Sequence, residues 1–307
     1  GLTLRDFLNR VDVIVHGTTV TTNAVLTYTG AKTGLLTTAG VRDALEMRRG
    51  IREQRYNNRY PNVTPLVPRY LRLPVTGRLD YAGKEITPLH PDEVESHVHT
   101  FKAEEVEAVA VCFMNSFANG EHEDRACRMV RELMPEAYAC ESARVLPSIR
   151  FYDRLSTTVL NAYVGPILRS YLESLVAKLT DSGYSKVLLI MQSNGGVISP
   201  EFAKHNAATT LLSGPAAGPV AGIVYGGLQG YRDCITMDMG GTSFDCALVK
   251  DAAPFTTNVG EINRLRLALP MLNVATIGAG GGSIGWIDEG GLLRMGPQSA
   301  SSDPGPA

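Results

Sequence analysis

Asp238-Met239-Gly240-Gly241-Thr242-Ser243-Phe244-Asp245 is the stretch on which the reading of this chain turns. An apolar run, Cys234-Ile235-Thr236-Met237, leads into it, and a second run through Phe244, Ala247, Leu248 and Val249 follows. The pattern predicts strand–turn–strand with a carboxylate at each end. Glycines let the backbone approach an anion closely, with successive N–H groups pointing at it. The Thr242 and Ser243 hydroxyls can donate to phosphate oxygens. Asp238 suits hydrated Mg²⁺, which prefers hard oxygen ligands and keeps most of its waters. An ordinary β-hairpin closed by a Gly-Gly turn is the plain alternative.

Outward from that stretch, the chain has 307 residues, 44% hydrophobic and 20% charged, with a formal net charge of −2. That is the composition of a globular protein with room for a sizeable core in one large domain or two. No global field favours nucleic acid or an anionic membrane. No apolar run reaches the roughly 20 residues that span a bilayer, and Leu2 to Phe7 is too charged for a signal peptide. Cys112, Cys127, Cys140, Cys234 and Cys246 are odd in number and form no CxxC. Free buried thiols in a reducing compartment explain them better than disulfides or zinc, so a cytoplasmic location is expected.

Strand-like and helix-like segments alternate. Strands are expected at 11–15, 33–37, 106–113, 137–140 and 187–191. Helices are expected at 18–28, 41–47, 91–101, 121–133 and 213–225. A long helix over 151–179 carries Leu155, Val159, Tyr163, Ile167, Tyr171 and Leu175 at steps of four, and Pro166 should kink it or start a second segment. Residues 48–74 break the rhythm and read as an irregular insertion with a basic run, Arg48, Arg49, Arg52, Arg55 and Arg59. For that run a solvated face is the default and recognition of a carboxylate or phosphate the minority reading. The alternation predicts an α/β architecture with largely covered sheets.

Three further segments look like ligand positions. Ser213-Gly214-Pro215-Ala216-Ala217-Gly218 opens a helix with one nearly bare face, suited to a nucleotide or, equally, to tight helix packing. Gly278 to Ser283 is a second glycine loop, with Gly280 and Gly281 inside it, but its GxGGG lacks the dinucleotide-binding frame. A glycine hinge is its bland reading. His16, Thr18, Thr19 and Asn23 gather where a strand ends and a helix begins, a favoured ligand position in α/β sheets, although a cap or core hydrogen bond would also account for them.

Taken together, HGTTVTTNAVL (16–26), TGLLTTAGVRDALEMRRG (33–50), TVLNAYVGP (158–166), SNGG (193–196), SGPAAG (213–218), DMGGTSFD (238–245) and the glycine-rich stretch from 278 to 307 resemble the hydantoinase A / 5-oxoprolinase family. The resemblance covers nearly the whole chain. It implies an α/β fold of the actin-like ATPase (ribonuclease H-like) kind, with 1–142 the remainder of an N-terminal domain and 143–307 the first part of a hydantoinase A domain. Family members carry a first phosphate hairpin of the form DxGGTxTD; none occurs before Val11, so the chain reads as an incomplete fold that alone does not turn over ATP. The implied activity is ATP-dependent hydrolysis of a cyclic amide, the ATPase subunit phosphorylating the amide oxygen and a hydantoinase B-like partner completing hydrolysis in a hetero-oligomer. An ATPase subunit of a ketone carboxylase, and an actin-like reactivating chaperone, are the other readings. The implied cofactors are ATP and Mg²⁺. Asp238 would hold Mg²⁺ waters and Asp245 a metal water or the loop, as catalytic groups. Gly240, Gly241, Thr242 and Ser243 would cradle phosphates, with Gly214, Gly280 and Gly281 near the nucleotide. His16, Thr18, Thr19 and Asn23 would face the substrate or γ-phosphate.

Overall fold

A computed structural model of the chain describes residues 2–51, 53–241, 243–300 and 305. The fold is mixed α/β and divides into two compact units, one of Gly1–Ile190, Val197–Leu211 and Asn258–Leu269, the other of Met191–Gly196, Leu212–Thr257 and Pro270–Ala307.

The centre of the first unit is a four-stranded parallel sheet in the order Arg72–Val75, Thr33–Thr38, Ala108–Cys112, Tyr138–Glu141. Thr33–Thr38 and Ala108–Cys112 are buried at every position, as central parallel strands covered on both faces must be. The pleat alternates the two faces along Tyr138–Glu141. Cys140 Sγ donates to Thr158 O of the long helix at 3.7 Å, while Glu141 meets Arg131 of the Glu121–Leu133 helix at 2.8 Å. Pro91–Ala103 begins with proline in its first turn, keeps Asp92 and Glu93 beside the positive end of its dipole, and buries Val94, Val98 and Phe101 at helical spacing.

The long helix runs unbroken from Phe151 to Asp181 with Pro166 inside it, where a kink or restart was expected. Its first half is buried all round, so packing overrides the local cost of the proline. The stripe of apolar residues describes only part of that half. Polar side chains are buried there too, each with a partner. Asp153 pairs with Arg266 at 3.2 Å, Thr157 Oγ1 accepts from Ala268 N at 3.0 Å, and Asn161 Oδ1 accepts from Ala208 N at 2.9 Å.

Between Met47 and Arg69 no helix or strand forms among the described residues, in keeping with the irregular insertion, and a 3₁₀ turn Arg69–Leu71 leads into Arg72–Val75. Val13–His16 pairs in parallel with Val187–Met191, His16 opposite Ile190. Among the described residues no helix is long and apolar enough to cross a membrane.

The second unit is built on an antiparallel sheet. Cys234–Met239 pairs with Phe244–Lys250, which also pairs with Val274–Ile277 and Ala253–Pro254. The helix Ala217–Leu228, shorter at its start than expected, lies on the face carrying Cys234 and Thr236, because Gly222 faces both side chains and Gly218 faces Thr236. On the opposite face Ile235, Met237, Met239, Leu248 and Ile277 are exposed.

Candidate functional site

The predicted strand–turn–strand forms, with Asp238 opposite Asp245 and Met239 opposite Phe244. Asp245 is in turn opposite Thr276. Residues directly opposite share a face, so Asp238, Asp245 and Thr276 make one polar row across three strands. Two carboxylates facing each other in this way are unfavourable unless something positive or hydrogen-bonding compensates. Asp245 is compensated: Thr276 Oγ1 donates to it at 2.6 Å and Ser243 Oγ at 3.2 Å. Asp238 is exposed, and its carboxylate makes no hydrogen bond among the described residues. A hydrated cation on that face would relieve the repulsion.

The turn is fixed to the second glycine loop. Gly281 N donates to Gly240 O at 2.9 Å and Gly282 N to Gly241 O at 2.8 Å. Gly240 N closes the turn on Ser243 O at 3.0 Å, and Ser243 is thereby held beside Asp245. In the second loop the Ser283 hydroxyl accepts from Gly280 N at 2.8 Å. Neither Gly240 nor Gly241 adopts a positive φ, and a Cβ at Gly241 would meet nothing within 4 Å. Backbone strain and internal packing therefore do not account for these glycines, and the absence of side chains leaves the backbone open to close approach by a ligand.

The order of contacts, Gly222 with Cys234 and Thr236, then Gly218 with Thr236, runs the helix toward the Asp238 end with its N-terminus leading. Its N-cap residue, Ala216, makes no side-chain capping hydrogen bond. An uncapped helix N-terminus favours anions. Gly214 sits exposed in the turn before it. Thr242 lies outside the described residues. The second unit thus brings together Asp238, Asp245, Gly240, Gly241, Ser243, Gly280 and Gly281. Thr276 was not legible as a site residue, because its role comes from strand register and no local motif marks it. Mg²⁺ keeps several waters and takes one or two carboxylates, which Asp238 and Asp245 can provide. Among the described residues no group of three or more His, Cys, Asp or Glu is placed to hold a metal directly.

In the first unit His16 closes its strand, and its Nε2 lies 2.7 Å from Tyr171 Oη with the rings stacked at 5.8 Å. Burial lowers its pKa, favouring the neutral ring. Thr18 is buried and accepts from Val20 N at 3.2 Å. Thr19 and Asn23 are exposed, Asn23 Nδ2 donating to Thr19 Oγ1 at 3.4 Å.

A hydantoinase/oxoprolinase family model matches residues 154–307, and a model of the N-terminal region of hydantoinase/oxoprolinase matches residues 3–134. The caprolactamase alpha subunit of Pseudomonas jessenii is 40% identical over 308 residues, covering 100% of this chain and 44% of that protein. The crystal structure of ATP-dependent caprolactamase from that organism superposes with a TM-score of 0.87 at 39% identity, over 99% of this chain and 44% of its own. The acetophenone carboxylase gamma subunit of Aromatoleum aromaticum is 32% identical over 321 residues, covering 100% of this chain and 44% of its own length. A nucleotide-free acetone carboxylase structure superposes with a TM-score of 0.81 at 29% identity, over 94% of this chain and 42% of its own. The chain spans less than half the length of these relatives.

Proposed function

The chain belongs to the hydantoinase/oxoprolinase family, and from that membership we propose that it carries the second phosphate loop of the ATPase subunit of an ATP-dependent cyclic-amide hydrolase. The observation that carries this reading is the pair of mutually hydrogen-bonded glycine loops beside the opposed Asp238 and Asp245. We place the pair in an actin-like ATPase fold, with 1–142 and 143–307 as parts of successive domains and a first phosphate hairpin completing the nucleotide site.

In this proposal the backbone at Gly240 and Gly241 and the hydroxyls of Thr242 and Ser243 hold the β- and γ-phosphates. Gly214, Gly280 and Gly281 let the nucleotide approach closely. Asp238 holds magnesium through water, with Asp245 beside it. Magnesium supplies charge neutralisation on the phosphates when bound. Asp245 is kept in place by Thr276 and Ser243. The positive end of the Ala217–Leu228 helix adds a fixed dipole directed at the anion.

An amide is a poor electrophile because resonance gives its C–N bond partial double-bond character. Transfer of the γ-phosphoryl group to the amide oxygen, with ADP leaving, removes that protection and prepares the carbon for attack by water. Expulsion of the nitrogen then opens the ring and leaves an acyl phosphate, which a second water hydrolyses to the acid and phosphate. We assign the hydrolytic step to a hydantoinase B-like subunit in a hetero-oligomer. His16, Thr18, Thr19 and Asn23 are proposed to face the substrate or γ-phosphate, His16 acting as a neutral hydrogen-bonding group. A cytoplasmic location accords with the free cysteines: burial pushes Cys112 and Cys140 up to about 12, which leaves them unreactive.

Similarity to the acetophenone carboxylase gamma subunit supports a second reading, in which the same phosphorylation activates a ketone for carboxylation. Product analysis decides between them. The full-length protein with its partner, ATP and Mg²⁺ should open hydantoin, 5-oxoproline or caprolactam and release ADP and phosphate in step with ring opening. ATP-dependent carboxylation of acetophenone without any lactam opening would contradict the hydrolase assignment.

A further inference from the structure

His16 stands at the carboxyl end of the strand Val13–His16, which runs parallel to Val187–Met191. Ligands of α/β proteins gather outside such strand ends. A Cβ at the next residue, Gly17, would meet nothing within 4 Å, so the backbone is open there. One hydrogen bond holds the His16 ring: Nε2 lies 2.7 Å from the hydroxyl of Tyr171, a half-buried residue of the Phe151–Asp181 helix. The two rings stack with an interplanar angle of 25°. Nδ1 has no hydrogen-bond partner among the described residues and is not enclosed.

The direction of the Tyr171 bond decides what the other nitrogen carries. Neutral imidazole has one N–H and one lone pair, and the bond made by one nitrogen sets the state of the other. Tyr171 Oη has no further partner among the described residues. If Nε2 donated, the phenol proton would be left without an acceptor in the protein. If the phenol donates, both groups are satisfied and Nδ1 carries the proton. A phenol is a stronger acid than a neutral imidazole, and an imidazole nitrogen is a stronger acceptor than a phenol oxygen, so the second arrangement is favoured. Burial lowers the pKa of His16, which keeps on Nε2 the lone pair that the phenol needs.

We propose that Tyr171 is a positioning residue whose hydroxyl donates to His16 Nε2 and fixes the ring as the Nδ1–H tautomer, presenting a neutral N–H donor to an oxygen of the bound ligand. The assignment rests on the reading that His16 faces the substrate or γ-phosphate. His16 is then a donor to developing negative charge and not a base, a role that neutral imidazole can fill.

Magic-angle-spinning NMR of the full-length protein, labelled with isotopic histidine and free of nucleotide, reads the tautomer directly, the His16 signal being the one lost in His16→Asn. Nδ1–H is expected in the parent. Nε2–H, the form favoured in water, is expected in Tyr171→Phe, which keeps the stacked ring and removes the donor. ATP turnover by the full-length protein with its partner subunit is the second readout. His16→Asn keeps a donor near the Nδ1 position, whereas His16→Gln keeps a group that reaches Tyr171. Loss of one donor to developing charge costs about 10²–10³ in kcat, so His16→Gln should fall about hundredfold and His16→Asn no more than about tenfold. A purely structural His16 would give the reverse order. Tyr171→Phe should lower kcat about tenfold with little change in KM for ATP. An Nε2–H tautomer in the parent, or an unchanged tautomer in folded Tyr171→Phe, would overturn the proposal and leave His16 in the site. So would His16→Gln turning over as fast as His16→Asn or faster. An Nδ1–H tautomer with kcat untouched in all three variants would remove His16 from the site, and the proposal with it.

Discussion

The seating of the Ala217–Leu228 helix on the glycine hairpin makes a prediction with an internal control. A methyl group at Gly222 would run into Thr236 Cγ2 and stand 3.1 Å from Cys234 Sγ. Carbon contacts settle at about 3.5–4.0 Å, so Gly222→Ala must push helix and strand apart, at an overpacking cost of about 1–3 kcal/mol. Alanine returns about 0.5–1 kcal/mol of helix stability. At Gly227, five residues on in the same helix, a Cβ meets nothing within 4 Å, so Gly227→Ala collects the helix term alone. The two variants should differ by about 1–3 kcal/mol, with Gly227→Ala the more stable, a difference that shifts the melting midpoint by roughly 2–4 °C per kcal/mol. Thr236→Ser removes the obstructing methyl, so Gly222→Ala/Thr236→Ser should recover most of the loss, a coupling of about 0.5–3 kcal/mol. Thermal or urea unfolding of the four variants and the parent measures all of these terms. Equal stabilisation by Gly222→Ala and Gly227→Ala, or strict additivity with Thr236→Ser, would refute the close helix–strand contact on which the position of the helix N-terminus rests.

Three other outcomes are expected. Glu123 is fully buried and accepts from Phe113 N at 2.6 Å, Ser116 Oγ at 2.6 Å, Ser142 Oγ at 2.6 Å and Ala143 N at 2.7 Å. Glu123→Ala strands those donors and should cost roughly 3–5 kcal/mol in urea unfolding; a loss below 1 kcal/mol would show that the network does not hold the strand ends. Hydrogen bonds from Arg264 and Arg48 hold Glu53 down at about 2 against an ordinary value of 4.5. Because the folded pKa is depressed, its contribution is present above pH 4.5 and fades as pH falls toward 2. The stability gap between the parent and Glu53→Gln should therefore be wide at pH 7 and shrink at pH 3, and a gap independent of pH would contradict the ion pairs. Thr276→Val removes the 2.6 Å hydrogen bond to Asp245; it should weaken Mg²⁺-dependent nucleotide binding severalfold with little loss of stability, and unchanged binding would remove Thr276 from the site.

Much of the fold was legible because the parallel strands announce themselves as apolar runs. Ala108–Cys112 and Val187–Met191 follow directly from such runs, and Pro91–Ala103 follows from its proline, its leading acids and its helical spacing. The hairpin at 238–245 was legible because glycines, hydroxyls and acids at fixed offsets carry local instructions. The Pro166 helix was not, since its continuity depends on the layers around it. Nor could the sequence show that Arg48 turns inward while Arg49, Arg55 and Arg59 stay exposed, because burial depends on how the insertion is tied through Glu53 to Arg264. Thr276 shows the same limit within the site: a threonine in a short strand acquires meaning only once the register sets it opposite Asp245.

The claim beneath all of this is that the turn after Asp238 grips the phosphate tail of ATP with magnesium held on the acid face. Isothermal titration of ATP into the full-length protein, with Mg²⁺ and again with EDTA, tests it directly. The account predicts saturable binding that requires Mg²⁺ and is lost in a folded Asp238→Ala variant. Nucleotide uptake that is absent, or that is the same in Asp238→Ala as in the parent, would contradict it.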